Sequence, residues 1–206
     1  LVIGSEMSGD VRNVYMHDCE FEGTDRAVRI KSKRGRGGVV ENVLAENIRV
    51  KDLKYEVVIL NMDYGADRQR LTNEKAPLFR NITVRNVTGE GAPAAVRIVG
   101  LEDSPIQNVR LENFTVKSTR GVIASHVRNL HLENVVVTPQ QGPVFELNDA
   151  RAVRIVGGKA PAGTELYLKL GGKDSGDIVI EKSDLSGAKQ ISVSAPEVPV
   201  DAVTVR

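Results

Sequence analysis

Asn81-Ile82-Thr83-Val84-Arg85-Asn86-Val87 sets two asparagines five residues apart, each followed by an apolar residue, and this phrase decides how the chain is read. It recurs on both sides. Asn13-Val14 leads to Asp18-Cys19, Asn42-Val43 to Asn47-Ile48, Asn108-Val109 to Asn113-Phe114, and Asn129-Leu130 to Asn134-Val135, with weaker copies at Val153 and Ile178 that have lost the asparagines. The leading apolar residues fall at positions 14, 43, 82, 109, 130, 153 and 178, so the shortest interval is 21 residues and the others carry extra length. A fixed strand frame with insertions at its corners produces that distribution.

Each phrase is followed by a second alternating run: Ala27-Val28-Arg29-Ile30-Lys31, Val57-Val58-Ile59-Leu60, Ala95-Val96-Arg97-Ile98, Val122-Ile123-Ala124, Val144-Phe145-Glu146-Leu147, Leu166-Tyr167-Leu168 and Ile191-Ser192-Val193. Period-2 runs of this kind are strands, and no segment sustains a 3.6-residue period. Several strands per repeat and stacked equivalent positions predict an all-β, single-stranded right-handed parallel β-helix of about seven coils, one domain over residues 1–206. Asn47, Asn86, Asn113 and Asn134 are then expected to stack as a ladder, since asparagine tolerates left-handed backbone at a corner and its amide reaches the next coil. Cys19, in the place of Ile48, Val87 and Phe114, is expected to be a small buried hydrophobe. The Asn-x-Thr triplets beginning at Asn81, Asn86 and Asn113 fall on the same frame and read as structure rather than as glycosylation acceptors.

Composition narrows the classes further. The 28 Lys+Arg and 27 Asp+Glu leave a net charge of +1, and with no Trp, four Phe and four Tyr the core bulk comes from aliphatics, among them 30 valines. A partner chosen by overall charge, nucleic acid above all, is not expected, nor is a membrane, because no apolar run approaches the length of a span. One cysteine excludes an internal disulfide, and the scattered His17, His126 and His131 with that single cysteine are not expected to give a zinc site. No cofactor motif is present.

The chemistry-bearing stretch is Arg26 to Arg36, with Arg26, Arg29, Lys31, Lys33, Arg34 and Arg36 and no acid among them. In a strand, Arg29 and Lys31 share the outward face while Val28 and Ile30 point inward. A planar guanidinium beside a point-charge ammonium suits a carboxylate or phosphate, and the Gly35-Arg36-Gly37-Gly38 turn gives backbone freedom next to it. A solvated cationic face is the plain alternative, since Ala95-Val96-Arg97-Ile98 repeats the same text elsewhere.

Ile3-Gly4-Ser5-Glu6, Val11-Arg12-Asn13-Val14, Cys19-Glu20-Phe21, Gly23-Thr24-Asp25-Arg26, Arg29-Ile30-Lys31 and Asp63-Tyr64, in that order and spacing, resemble the polygalacturonases of glycoside hydrolase family 28. The resemblance is specific over about residues 1 to 90 and architectural beyond. It implies a parallel β-helix that hydrolyses galacturonic-acid-containing pectin with inversion, in which Arg29 and Lys31 bind a uronate carboxylate and Tyr64 lines the same groove. It also implies a secreted or periplasmic protein, although no signal peptide stands at Leu1.

The chain departs from the family where the reaction is carried out. The family's catalytic aspartates lie in an Asn-Thr-Asp segment and an Asp-Asp pair, with a Gly-His-Gly just ahead of Ile-Gly-Ser, and none of these occurs in the 206 residues. Inversion needs one carboxylic acid and one carboxylate set about 6.5–9.5 Å apart. Glu6, Asp10, Asp18, Asp25 and Asp63 lie near the cationic pair, but Asp18 belongs to the ladder frame and Asp25 is expected to pair with its neighbour Arg26. The expectation is therefore the C-terminal part of a longer β-helix, with no catalytic residue of its own and inactive alone, that binds acidic polysaccharide or oligogalacturonate. A non-catalytic polysaccharide-binding β-helix is the alternative, as is a structural one that self-associates into homo-oligomers through its open ends.

Overall fold

The computed structural model describes residues 1–4, 9–64 and 75–206. These fold into strands without a helix: β1 (Val2–Ile3), β2 (Val11–Glu22), β3 (Val28–Lys31), β4 (Val39–Lys51), β5 (Val58–Asn61), β6 (Leu78–Val99), β7 (Ile106–Pro139), β8 (Phe145–Val156), β9 (Thr164–Gly171), β10 (Gly176–Glu181), β11 (Ala188–Ser194) and β12 (Val203–Val205). Every pairing between them is parallel, and the chain winds as a solenoid of about seven turns. Equivalent residues stack along its length. Ile3, Ile30, Leu60, Ile98, Ala124, Leu147 and Leu170 form one continuous interior row in register.

The long strands are straight segments joined by sharp corners, and the asparagines make the corners. Asn13, Asn42, Asn81, Asn108 and Asn129 have φ between 54° and 58°, and Asp18, Asn47, Asn86, Asn113 and Asn134 between 50° and 57°. That left-handed conformation costs most L-residues about 1–2 kcal/mol, less for Asn and Asp. Both members of the repeated phrase form ladders. Asn42, Asn81, Asn108 and Asn129 donate through Nδ2 to the Oδ1 one coil back at 2.9–3.1 Å, and Asn47, Asn86, Asn113 and Asn134 do so at 2.8–3.0 Å down to Asp18. Where the asparagines have gone, the corners persist at Ala152, Gly157, Asp177 and Lys182, all with positive φ. The ladders run along the outer surface, exposed to solvent.

Two expectations need correction. Cys19 is half-buried rather than core, its thiol donating to the His17 carbonyl at 3.2 Å on β2, which among the described residues pairs with β4 alone. Arg26 does not pair with Asp25. It donates to Glu56 at 2.8 Å and lies over the Tyr55 ring, while Asp25 faces Lys54 at 3.7 Å.

Outside the column, charge alternates from coil to coil. Glu20 faces Arg49 at 2.9 Å, Glu22 faces Lys51 at 2.6 Å, Glu41 faces Arg80 at 2.6 Å and Glu46 faces Arg85 at 2.6 Å, each pair directly opposed in register. Opposite charges set across a strand pair stabilise it, whereas like charges there repel.

Candidate functional site

The site is built on β3. Val28 and Ile30 are fully buried and fix the strand against the interior, which turns Arg29 and Lys31 outward. Register places Arg29 between Val2 and Ile59, and Lys31 beside Asn61. The Lys31 ammonium sits 4.2 Å from the centre of the Tyr64 ring, so the two residues named from the resemblance are in contact, and Tyr64 keeps 41% of its surface exposed. A cation over an aromatic face gains electrostatic energy and holds the long lysine in one place.

The cationic stretch is less uniform than its sequence. Arg26 is held by Glu56, Arg34 is paired with Asp103, and Arg36 has interactions of its own. Arg29 has no ion pair or side-chain hydrogen bond among the described residues. Arg97, with the same local sequence, is different: its Nε donates to Glu56 at 3.1 Å. Burial pushes the Glu56 carboxyl upward, but its own backbone amide, Arg26 and Arg97 outweigh that and hold it below the ordinary carboxylate range. The turn beside the site is glycine-built as expected, with positive φ at Gly35, Gly37 and Gly38, and the Gly35 amide donates to the Lys75 carbonyl.

A glycosidic acid must hold its proton at working pH, which calls for a raised carboxyl pKa. The nearby carboxylates Asp10 and Asp18 go the other way. The Arg12 hydrogen bond and the Val39 amide lower Asp10, and hydrogen bonds from His17 and Asn47 lower Asp18. Glu6 lies outside the described residues. Among those residues no cluster of His, Cys, Asp and Glu is arranged to hold a metal.

The periodic sequence did not single out Asn61 or Glu56. Asn61 follows from register, standing beside Lys31, and its Oδ1 accepts the Asp63 amide at 2.9 Å. Glu56 lies in a connection and is recognised only from the two arginines that converge on it.

The described residues are thus a parallel β-solenoid with a half-buried Arg-Lys pair on the outward face of β3. The Glycosyl hydrolases family 28 model matches residues 1–140, and the chain belongs to that family. It is 27% identical over 117 residues to a probable polygalacturonase of Vitis vinifera, covering 56% of this chain and 24% of that protein. A polygalacturonase of Cryptomeria japonica is 27% identical over 126 residues, with 60% and 24% covered. Endopolygalacturonase B of Aspergillus flavus is 30% identical over 96 residues, with 47% and 26% covered. The chain thus spans about a quarter of the length of the curated relatives it matches. The family match runs past the motif-bearing first 90 residues into the plain repeats.

Proposed function

We propose that this chain carries the substrate-gripping face of a pectin-degrading glycosidase of the polygalacturonase type. The observation that supports it best is the contrast between Arg29, which has no carboxylate partner among the described residues, and Arg26, Arg34 and Arg97, which have theirs. Arg29 offers a planar fork and Lys31 a point charge to one uronate carboxylate. Tyr64 holds the Lys31 ammonium and presents ring surface to the sugar, and Asn61 offers an amide to its hydroxyls.

In inverting hydrolysis one carboxylic acid gives its proton to the leaving oxygen while a carboxylate takes a proton from the water that attacks the anomeric carbon. The clamp positions the ring for that attack and supplies neither group. The two aspartate segments that supply them in the family do not occur among these residues, so we expect the 206-residue chain to bind acidic pectin fragments without cleaving them. A polymer of this size is met outside the cytoplasm, which favours a secreted or periplasmic setting.

Calorimetry with oligogalacturonate, paired with a reducing-end assay on the same sample, tests the reading. Binding that weakens at least several-fold in Arg29→Ala and Lys31→Ala, with no new reducing ends, is expected. Turnover by the isolated chain overturns the inactive part, and undiminished binding by both variants overturns the clamp.

A further inference from the structure

The alternation of charge along the column breaks down between β7 and β8, on either side of the Asn129 corner. Arg128 stands directly opposite Arg151, and His131 opposite Arg154, in the register between β7 and β8. Arg110 precedes His131 by the 21-residue spacing that the ladder bonds of Asn129 and Asn134 define. Like charges opposed across neighbouring strands destabilise a sheet, so Arg128 and Arg151 cost stability where Glu41–Arg80 and Glu46–Arg85 gain it, while His131 is held by Glu133 at 3.2 Å.

The acids that hold these arginines leave their forks open. Arg110 reaches Glu112 at 2.8 Å and Arg151 reaches Asp177 at 3.1 Å, both through Nε. Among the described residues the hydrogen bond of the Arg128 guanidinium is to the Asp174 carbonyl oxygen, at 3.4 Å, and Arg154 comes no nearer than 3.8 Å to Glu181. A groove of 750 Å³ runs over the His131 side of the Asn129 corner. Arg110, His131, Arg154 and Arg206 line it, with Asp177 and Asp201 as acids and Val179 as outward apolar floor.

We infer that this groove is a second saccharide site, distinct from the Arg29 face, that binds an oligomer of uronic acids. A uronate ring carries one carboxylate for an arginine fork and several hydroxyls, which can donate to Asp177 and Asp201. A dense polyanion would instead be repelled by those two acids. The coil spacing of ~4.8 Å is close to the length of one pyranose unit, so Arg110 and Arg154, two coils apart, are set to meet alternate rings. Arg154, His131 and Arg206 do not belong to the motifs that carry the family resemblance, and Arg154 and Arg206 lie beyond the matched residues 1–140. Galacturonate as the uronate of choice rests on the proposed function; the groove and its arginines do not.

Hexagalacturonate titrated into the full chain, followed residue by residue through backbone amide NMR shifts, separates the two faces. Shifts are expected at 128–131, 151–154 and 178–180, and an Arg110→Gln/Arg154→Gln double variant is expected to weaken them at least five-fold while shifts around 29–31 persist. Arg206→Ala, a single change at the surface, should weaken the same set, and matched melting curves confirm folding. The inference is overturned if this face does not respond, if the double variant responds like the parent, or if neutral maltohexaose gives the same shifts. Loss of all shifts in Arg29→Ala overturns it too and leaves the clamp standing. Shifts on this face with none near 29–31 support it and overturn the clamp.

Discussion

Arg29 and Arg97 lie two coils apart in one outward row, separated by Ile59, yet only Arg97 is held by a carboxylate, Glu56. The same four-residue text thus serves two ends. The difference comes from Glu56, in the connection ahead of β5, which draws in Arg26 from the coil before and Arg97 from the coil after.

Arg97→Ala should therefore lower stability by up to about 1 kcal/mol, the range for partly exposed ion pairs, without changing oligogalacturonate binding. Arg29→Ala should do the reverse. Thermal melting beside calorimetry on both variants decides the matter.

Stability should fall in acid as Glu56 and Glu46 take up protons. Both ionise below their ordinary value in the folded chain, Glu46 through hydrogen bonds from Tyr15 and Arg85, and Glu56 through its own amide, Arg26 and Arg97 against the pull of burial. A lowered folded pKa means that the stabilisation is present above the unfolded value, about 4.3, and disappears as pH drops through the folded one. Melting temperature measured from pH 6 to pH 3 should decline, and Glu56→Gln should flatten that decline.

The corners offer a sharper test. Asn86→Ala should cost about 1–2 kcal/mol because its φ of 54° disfavours alanine, and Asn86→Gly should cost less. Ala152 already bears that cost at φ 56°, so Ala152→Gly should raise stability by about 1 kcal/mol. Both variants lose the ladder amide equally, so denaturant midpoints that order them the other way would mean that left-handed backbone strain does not set the cost at this corner.

Tyr167 is fully buried beside Phe145, its hydroxyl has no hydrogen-bond partner among the described residues, and burial pushes its ionisation upward. Removing an unsatisfied buried group is favourable, so Tyr167→Phe should stabilise by up to about 1 kcal/mol. A fall in melting temperature would show that the oxygen has a role.

Much of the solenoid is legible in the sequence because its determinants are local and repeated. Asn81 and Asn86 announce the corner geometry, and Val28 and Ile30 announce which side of β3 faces inward. What is not legible depends on neighbours from other coils. That Asn13, Asn42 and Asn81 also stack, and that Arg26 turns to Glu56 rather than Asp25, both require the register between coils whose lengths differ. The Lys31–Tyr64 contact joins residues of successive coils, and only the family resemblance pointed to it in advance.

The amide ladders end at Asn129 and Asn134, and the corners that continue them at Ala152, Gly157 and Lys182 have no side-chain amide to pass on. In a molecule where each turn leans only on its neighbours, stability is distributed along a line. The zipped turns and the unzipped ones should then open separately, with amide hydrogen exchange slow through residues 82–135 and progressively faster beyond 152. The groove lined by Arg110, His131 and Arg154 straddles that boundary, so a saccharide lying in it would splice the looser turns onto the tighter ones.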